Sequence, residues 1–313
     1  MIVTITLNPA MDRLLFVDGF TFNVTNRIYR RENCIGGKGT HVSANLACLG
    51  EKSVATGIAL GPTGDEIIRG LEGFGVACDF VRSGSGDSRT NYILLDGRSS
   101  TLICEKGPEV PEEILEAFAL KYEELTDRAE YAIISGDASN FAYGAGFSLQ
   151  DRLLETARAK GVKAVLDSAG ASLKSGVLKS PYLIKPNAEE LAELTGMPAN
   201  TDGEIVRAIK SLEPYDIQIV AVSMGSRGSI VKFNDGFYRA GIAQVEAKNT
   251  VGCGDAYLSG LVFAIKNGYP PERAVAFAAA CGGAEALNPL SVGFERDKAF
   301  ALCDGIEISK LEN

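Results

Sequence analysis

The chain of 313 residues has no tryptophan and only one histidine, His41. One histidine excludes any zinc site built on two histidine ligands. A Ser/His/Asp triad would have to use His41, and no Gly-x-Ser-x-Gly elbow accompanies it. The seven cysteines (Cys34, Cys48, Cys78, Cys104, Cys253, Cys281, Cys303) are odd in number and never spaced Cys-x-x-Cys. That spacing argues against a zinc ribbon or a disulfide framework and for free thiols in a reducing cytoplasm. Long apolar runs are missing too: the longest, Ala274 to Ala284, falls far short of the ~20 residues of a membrane helix. The opening MIVTITLNPAMD has no basic stretch before its apolar part, so no signal peptide is expected. Positive charge is scarce, with 31 Lys and Arg against 40 Asp and Glu and a net charge of −9. Such a surface repels nucleic acid and anionic lipid, so neither is an expected partner, and an anionic ligand needs a local site.

What is present is an ordinary globular composition, 46% apolar and 23% charged, which excludes wholesale disorder. Short β-branched runs alternate with amphipathic windows. Strands are predicted at 2–7, 54–58, 132–134, 162–166, 182–184 and 217–222. Between them, helical stripes are read at Val42/Leu46/Leu49, Ile67/Ile68/Leu71/Phe74, Leu149/Leu153/Leu154/Ala157, 188–194 and Ile205/Ile209/Leu212. Nearly all-apolar strands alternating with helices predict an α/β fold with a mostly parallel sheet covered on both faces. Residues 12–34 and 88–105 break the rhythm with apolar/polar alternation and an Asp96-Gly97 turn, which predicts a small antiparallel sheet projecting from the core. A second hairpin is read at Ile230–Tyr238 around Asn234-Asp235-Gly236. No linker divides the chain, so residues 1–313 are read as a single domain.

Four motifs carry candidate chemistry. Gly252-Cys253-Gly254-Asp255 opens an apolar helical window, so its backbone N–H groups point outward at a helix N-terminus and favour an anion. An acid beside such a site is suited to take a proton from an attacking hydroxyl, although a plain helix cap explains it equally well. Gly36-Gly37-Lys38-Gly39-Thr40-His41 is neither a P-loop nor a dinucleotide fingerprint; it suits either hydroxyls of a small polyol or close helix packing. Asn187 and Glu190 sit three apart at a helix start, as a capping box or as oxygen partners of a hydrated Mg2+. Ser223 to Ser229 is a small-residue loop between strands, suited to lie along a nucleotide or simply to connect.

Taken in order, these motifs resemble the ribokinase-like (PfkB) sugar kinases, most closely the tagatose-6-phosphate kinase and 1-phosphofructokinase branch. The resemblance runs through Thr6–Asp12, Gly36–Gly39, Ala55–Gly57, Arg89–Asn91, Glu105–Val110, Val165–Ser168, Ile184–Leu191, Val222–Gly225 and Val251–Asp255. It implies a doubly wound ribokinase-like α/β fold with a small antiparallel lid, ATP and Mg2+ as cofactors, and a sugar or sugar-phosphate substrate. It further implies that Asp255 is the base and that the backbone of Gly252, Cys253 and Gly254 forms the anion hole. Asp12, Gly37 and Lys38 match sugar-holding positions, and Arg89 with Lys106 matches the surroundings of the substrate phosphate. Lys185, Asn187, Ser223, Gly225, Ser226, Gly228 and Asn288 match the nucleotide side, with Glu190 and Asn187 managing Mg2+ through water. The lid often serves such kinases as a homodimer interface.

Two departures bear on the substrate. Asp137 replaces the usual serine where the sugar phosphate commonly lies, and would repel a dianion. His41 stands where asparagine is usual, as a possible cation near substrate or as a helix-face residue without a role. Arg89, Lys106 and the Glu105–Val110 match favour a ketohexose phosphate (tagatose 6-phosphate or fructose 1-phosphate) as the expected substrate, and Asp137 favours the alternative, an unphosphorylated sugar or nucleoside. A nicotinamide dehydrogenase lacks its fingerprint here, and a sugar-sensing protein without catalysis leaves Asp255 unexplained.

Overall fold

The structure is a computed structural model, and it describes residues 1–136, 142–143 and 147–311. Its main sheet has eleven strands. From one edge they run Ile308–Leu311, Gly236–Ala240, Ser229–Phe233, Ile219–Ser223, Leu183–Ile184, Lys163–Asp167, Tyr131–Ser135, Ile2–Thr6, Ser53–Leu60 and Ala77–Cys78, with Val81–Ser83 pairing farther along Ser53–Leu60. Pairing is parallel from Ala77–Cys78 to Ile219–Ser223 and antiparallel beyond it, where the hairpin at Asn234 adds its two strands.

The strand sequences dictate two cores, because successive side chains leave opposite faces. Val3, Ile134, Leu166 and Val220 face one layer with Phe118, Tyr122, Leu153 and Ile209. Ile2, Ile133, Val165 and Ile219 face the other, with Val42, Leu46, Leu258, Leu261 and Phe277. Strands buried on both faces must be apolar throughout, which is why they read as continuous runs.

A separate four-stranded sheet, the lid, has the order Ile28–Gly36, Ala10–Val17, Arg89–Leu95, Ser100–Cys104. Its outer pairs are antiparallel and its central pair is parallel, Met11 lying opposite Thr90. Leu14, Ile93 and Leu95 form its small core. The Asp96 carboxylate accepts from the N–H groups of Arg98 and Ser99 and so closes the expected turn.

The helices behind the predicted stripes are Lys38–Cys48, Gly61–Gly73, Leu149–Ala159, Ala188–Thr195 and Asp202–Lys210. Phe74, read as part of a buried stripe, instead follows the end of its helix and is 37% exposed. The helices Glu112–Thr126, Gly170–Val177 and Arg296–Cys303 and the edge strand Ile308–Leu311 carry no reading in the sequence, and Ala274–Ala284 emerges as part of the helix Pro271–Ala286. That helix is apolar nearly all round because it packs against both Cys253–Lys266 and Arg296–Cys303, so it shows no amphipathic period. Among the described residues no helix is long and apolar enough to cross a membrane.

Candidate active site

The parallel strands end on one side of the sheet, and the singled-out motifs follow those ends: Asn8 to Asp12 after Ile2–Thr6, Asp167 closing its strand, Lys185 after Leu183–Ile184, and Ser223 closing Ile219–Ser223. Ligand sites of open α/β sheets lie at such carboxyl ends.

Asp255 sits in the first turn of the helix Cys253–Lys266, 8% exposed. Gly252 caps that helix at φ 84°, and a Cβ there would lie 2.0 Å from the Ser291 carbonyl oxygen. Only glycine allows this turn. Among the described residues no hydrogen bond uses the N–H of Gly252 or of Gly254, whereas that of Cys253 points at the Thr250 carbonyl, 3.4 Å away. Two of the three amides of the expected anion hole are therefore available to a ligand. The third lies against Thr250 because the cap turns it inward. Burial pushes the Cys253 thiol up to about 12, so it carries no thiolate chemistry near neutrality.

Two ammonium groups border this turn. Lys185, 6% exposed, has its Nζ 3.6 Å from where a Gly254 Cβ would be. Lys38 starts the helix Lys38–Cys48, and its Nζ lies 3.1 Å from Asp167 Oδ1. Lys185 lies 3.4 Å from the other oxygen of the same carboxylate. Asp167 is fully buried; burial alone would raise its carboxyl, and Lys185 and then Lys38 hold it low. Asp167 outweighs burial and keeps the Lys38 ammonium above its ordinary range, with help from Asp255 and Glu190, so these groups share one electrostatic neighbourhood. Asp167 appeared in the sequence only as part of a motif; its role as the counter-ion of two lysines depends on the pairing of its strand with Leu183–Ile184 and on where the helix Lys38–Cys48 begins.

Asp12 is 2% exposed, on the lid strand Ala10–Val17. Its Oδ1 accepts from Asn91 Nδ2 at 2.8 Å and its Oδ2 from Ser291 Oγ at 3.4 Å. A Cβ on Gly36 would fall 1.9 Å from Oδ1, so glycine at 36 is what admits the carboxylate. Burial raises the Asp12 carboxyl, opposed by His41, Asn91, Ser291 and Arg89. Neither Asn91 nor Ser291 stood out in the sequence as a candidate. Gly37 caps the adjoining helix at φ 97°. Arg89 opens a lid strand and donates to the carbonyls of Asn8 (3.3 Å) and Glu105 (3.5 Å), and its charge also acts on Asp12. Lys106 is exposed beside it in the chain path. Asp137 lies outside the described residues.

His41 is buried within this network, 4% exposed. Its Nδ1 is 2.8 Å from Asp255 Oδ2, its Nε2 is 3.0 Å from the Ile35 carbonyl oxygen, and Asp12 Oδ2 is 3.8 Å away. Burial would push the ring down, but the hydrogen bond and charge of Asp255, then Asp12 and Glu285, push it up to about 9. Glu285, fully buried on the helix Pro271–Ala286, is itself pushed up to about 7, chiefly by burial. The sequence offered no signal for it inside an alanine-rich run.

Where the resemblance implies the nucleotide, Asn187 and Glu190 form a complete capping box: Glu190 Oε2 accepts from the Asn187 N–H and Asn187 Oδ1 from the Glu190 N–H, both at 2.8 Å. The second carboxylate oxygen of Glu190 remains for another partner. Ser223 ends its strand beside Asn187, and Gly225 to Arg227 form a single turn closed by Gly228. Asn187, Asn200, Ser223, Gly225 and Arg227 line a cleft of about 450 Å3. Ser226 is exposed on that turn. Asn288 instead donates to the Val292 carbonyl at 3.0 Å and to Glu285 Oε1 at 3.5 Å, and accepts from the Leu290 N–H at 3.0 Å. Among the described residues no cluster of three or more His, Cys, Asp or Glu side chains could hold a metal.

Residues 2–291 match the model of the pfkB family of carbohydrate kinases. The chain is 29% identical to a candidate phosphofructokinase of Staphylococcus aureus, each covering 100% of the other, with a TM-score of 0.81. It superposes on phosphofructokinase-2 of Escherichia coli, solved with substrates and products, at TM-score 0.88 with 22% identity, covering 97% of this chain and 98% of that one. A candidate 1-phosphofructokinase of Thermotoga maritima matches at TM-score 0.87 with 24% identity, over 99% of both chains.

Proposed function

The chain belongs to the pfkB family of carbohydrate kinases, and from that membership we propose that it transfers the γ-phosphoryl group of ATP to a hydroxyl of a ketohexose phosphate, tagatose 6-phosphate or fructose 1-phosphate. The family makes it a sugar kinase and a phosphotransferase; the substrate is this article's own reading. The observation that carries the mechanism is Asp255 beside two unpaired amides, with Lys185 at the same opening.

In this reading Asp255 takes the proton as the sugar oxygen attacks the γ-phosphorus in line. The N–H groups of Gly252 and Gly254, with Lys185 and Lys38, meet the negative charge on the transferring phosphoryl oxygens. Preorganised donors of this kind usually supply the largest share of rate enhancement in phosphoryl transfer. Asp167 holds the two ammonium groups in place without neutralising both. Asp12 and the Gly36-Gly37 backbone hold the sugar, and Arg89 with Lys106 anchors the phosphate it already carries. Ser223 to Gly228 receive the nucleotide. The donor set suits Mg2+ rather than a transition metal: one spare carboxylate oxygen on Glu190 beside Asn187, leaving room for water. Mg2+ bound with ATP neutralises phosphate charge there. Closure of the lid excludes water and so suppresses ATP hydrolysis.

Free thiols and ATP use fit a cytoplasmic enzyme. The outer lid face carries Leu15, Tyr92, Leu94 and Ile103, with Ile103 56% exposed, a surface suited to a second copy of the chain. The test of the mechanism is Asp255→Asn, assayed by ADP release: turnover falls by about 10^3 or more while ATP still shifts the melting temperature. Near-normal turnover in that variant removes Asp255 from the reaction.

A further inference from the structure

His41, 4% exposed, contacts Asp255, and its hydrogen bonds specify its protonation. Nε2 faces a carbonyl oxygen at 3.0 Å and Nδ1 faces a carboxylate oxygen at 2.8 Å. Both partners only accept, so each ring nitrogen must carry a proton. A neutral ring, in either tautomer, would set a lone pair against one of these oxygens.

We propose that His41 is a doubly protonated positioning residue, which holds Oδ2 of Asp255 with one N–H and the root of the lid with the other, leaving Oδ1 of the base for the acceptor hydroxyl. The inference rests on the proposed role of Asp255. Ile35 is the next-to-last residue of the lid strand Ile28–Gly36, opposite Met11, the neighbour of Asp12. The base is thus tied to the sheet that covers the sugar by one buried ring. His41 cannot receive the sugar proton, because both nitrogens already hold one; the proton passes to Asp255 alone.

The charges around the ring favour the cation. From the lid strand Asp12 approaches to 3.8 Å, from the helix Cys253–Lys266 comes Asp255, and Glu285 acts from the helix Pro271–Ala286. The charge of Lys38 also acts on Asp255, and the Cys34 and Cys253 thiols, both pushed up, stay neutral. Burial of an imidazolium is unfavourable by itself, and this set of carboxyl groups offsets it.

Because His41 is the only histidine, its ring signals in NMR need no assignment, provided the protein carries no histidine tag. The ring is expected to titrate near 9, with both nitrogens protonated at pH 7. In Asp255→Asn the midpoint should fall by about one to three pH units, the usual effect of losing a charge in contact. A ring that titrates at or below 6.5 in the unaltered protein overturns the inference. In kinetics, His41→Asn should lower kcat about tenfold or more with little change in KM for ATP, and should abolish a decline in rate above pH 9. A purely structural ring would leave that alkaline limb in place, which also overturns the inference. If the ring titrates near 9 but Asp255→Asn keeps its turnover, the base assignment is what fails, and the positioning role with it.

Discussion

Two glycines two residues apart should respond oppositely to the same added methyl. At Gly252 the backbone lies at φ 84°, where alanine costs about 1–2 kcal/mol, and the Cβ would overlap the Ser291 carbonyl at 2.0 Å. With the overlap added, Gly252→Ala should lose about 3 kcal/mol or more, and at about 2 °C per kcal/mol for a chain of this size the melting temperature falls by about 6 °C. Gly254 is exposed and helical, and the first atom its Cβ would meet is Lys185 Nζ at 3.6 Å. Gly254→Ala should therefore keep or slightly raise stability, by up to about 1 kcal/mol from helix propensity. The methyl nevertheless fills the opening between the amides and the ammonium, where the proposed mechanism puts the phosphoryl group. The cost should resemble loss of one anion-hole donor, about 10^2 to 10^3 in kcat. Calorimetry and a coupled ADP-release assay on both variants separate the two effects. If Gly254→Ala keeps kcat within about threefold, the phosphoryl group does not pass through this turn and the anion-hole reasoning is wrong.

Other outcomes follow from the same geometry. Arg89→Ala should raise KM for a ketohexose phosphate about tenfold or more and leave KM for ATP unchanged; an unphosphorylated acceptor would show little difference between the two proteins. Glu285 titrates near 7 in the fold against an ordinary 4.5, so the fold disfavours its charged form: the penalty is absent below pH 4.5, grows to about 3 kcal/mol by pH 7, and stays above it. Glu285→Gln should accordingly raise the melting temperature at pH 8 and hardly at all at pH 4.5; equal effects at both would refute the buried acid. His41 has the opposite sign of charge and a raised value, so its contribution is complete below pH 6.5 and lost as pH rises through 9, seen as a further fall in unfolding free energy that His41→Asn removes. Ile103→Asp should convert a lid-paired dimer to monomer in sedimentation; an unchanged mass means that the outer lid face is not the contact.

Much of the architecture was legible because local chemistry and final environment agree. The all-apolar strands, the Asp96-Gly97 turn, the Asn234 hairpin and the capping signal at Asn187 each do in the fold what their residue types favour alone. The helix Pro271–Ala286 was not legible, since burial on all sides removes the period by which a surface helix is recognised. Asn187 and Glu190 show a different limit: capping and metal binding use the same residue types at the same spacing, and the box that forms leaves the second use to the spare oxygen of Glu190.

The alternation of apolar strands with helices predicted the α/β fold, and the resemblance of the ordered motifs to a known family pointed to a sugar kinase. The glycine turn that opens the helix Cys253–Lys266 was legible because glycine at a helix start and an acid one residue on are local statements about backbone and charge. Tertiary structure decided which groups share that turn. His41 meets Asp255 from 214 positions away, and Lys38 and Lys185 converge on Asp167 from separate strand ends. Proton affinity depends on distance and burial, quantities that spacing along a chain does not contain. That is why the lone histidine, read in sequence either as a cation near the substrate or as a helix-face residue without a role, emerges in the fold as the hydrogen-bonded partner of Asp255.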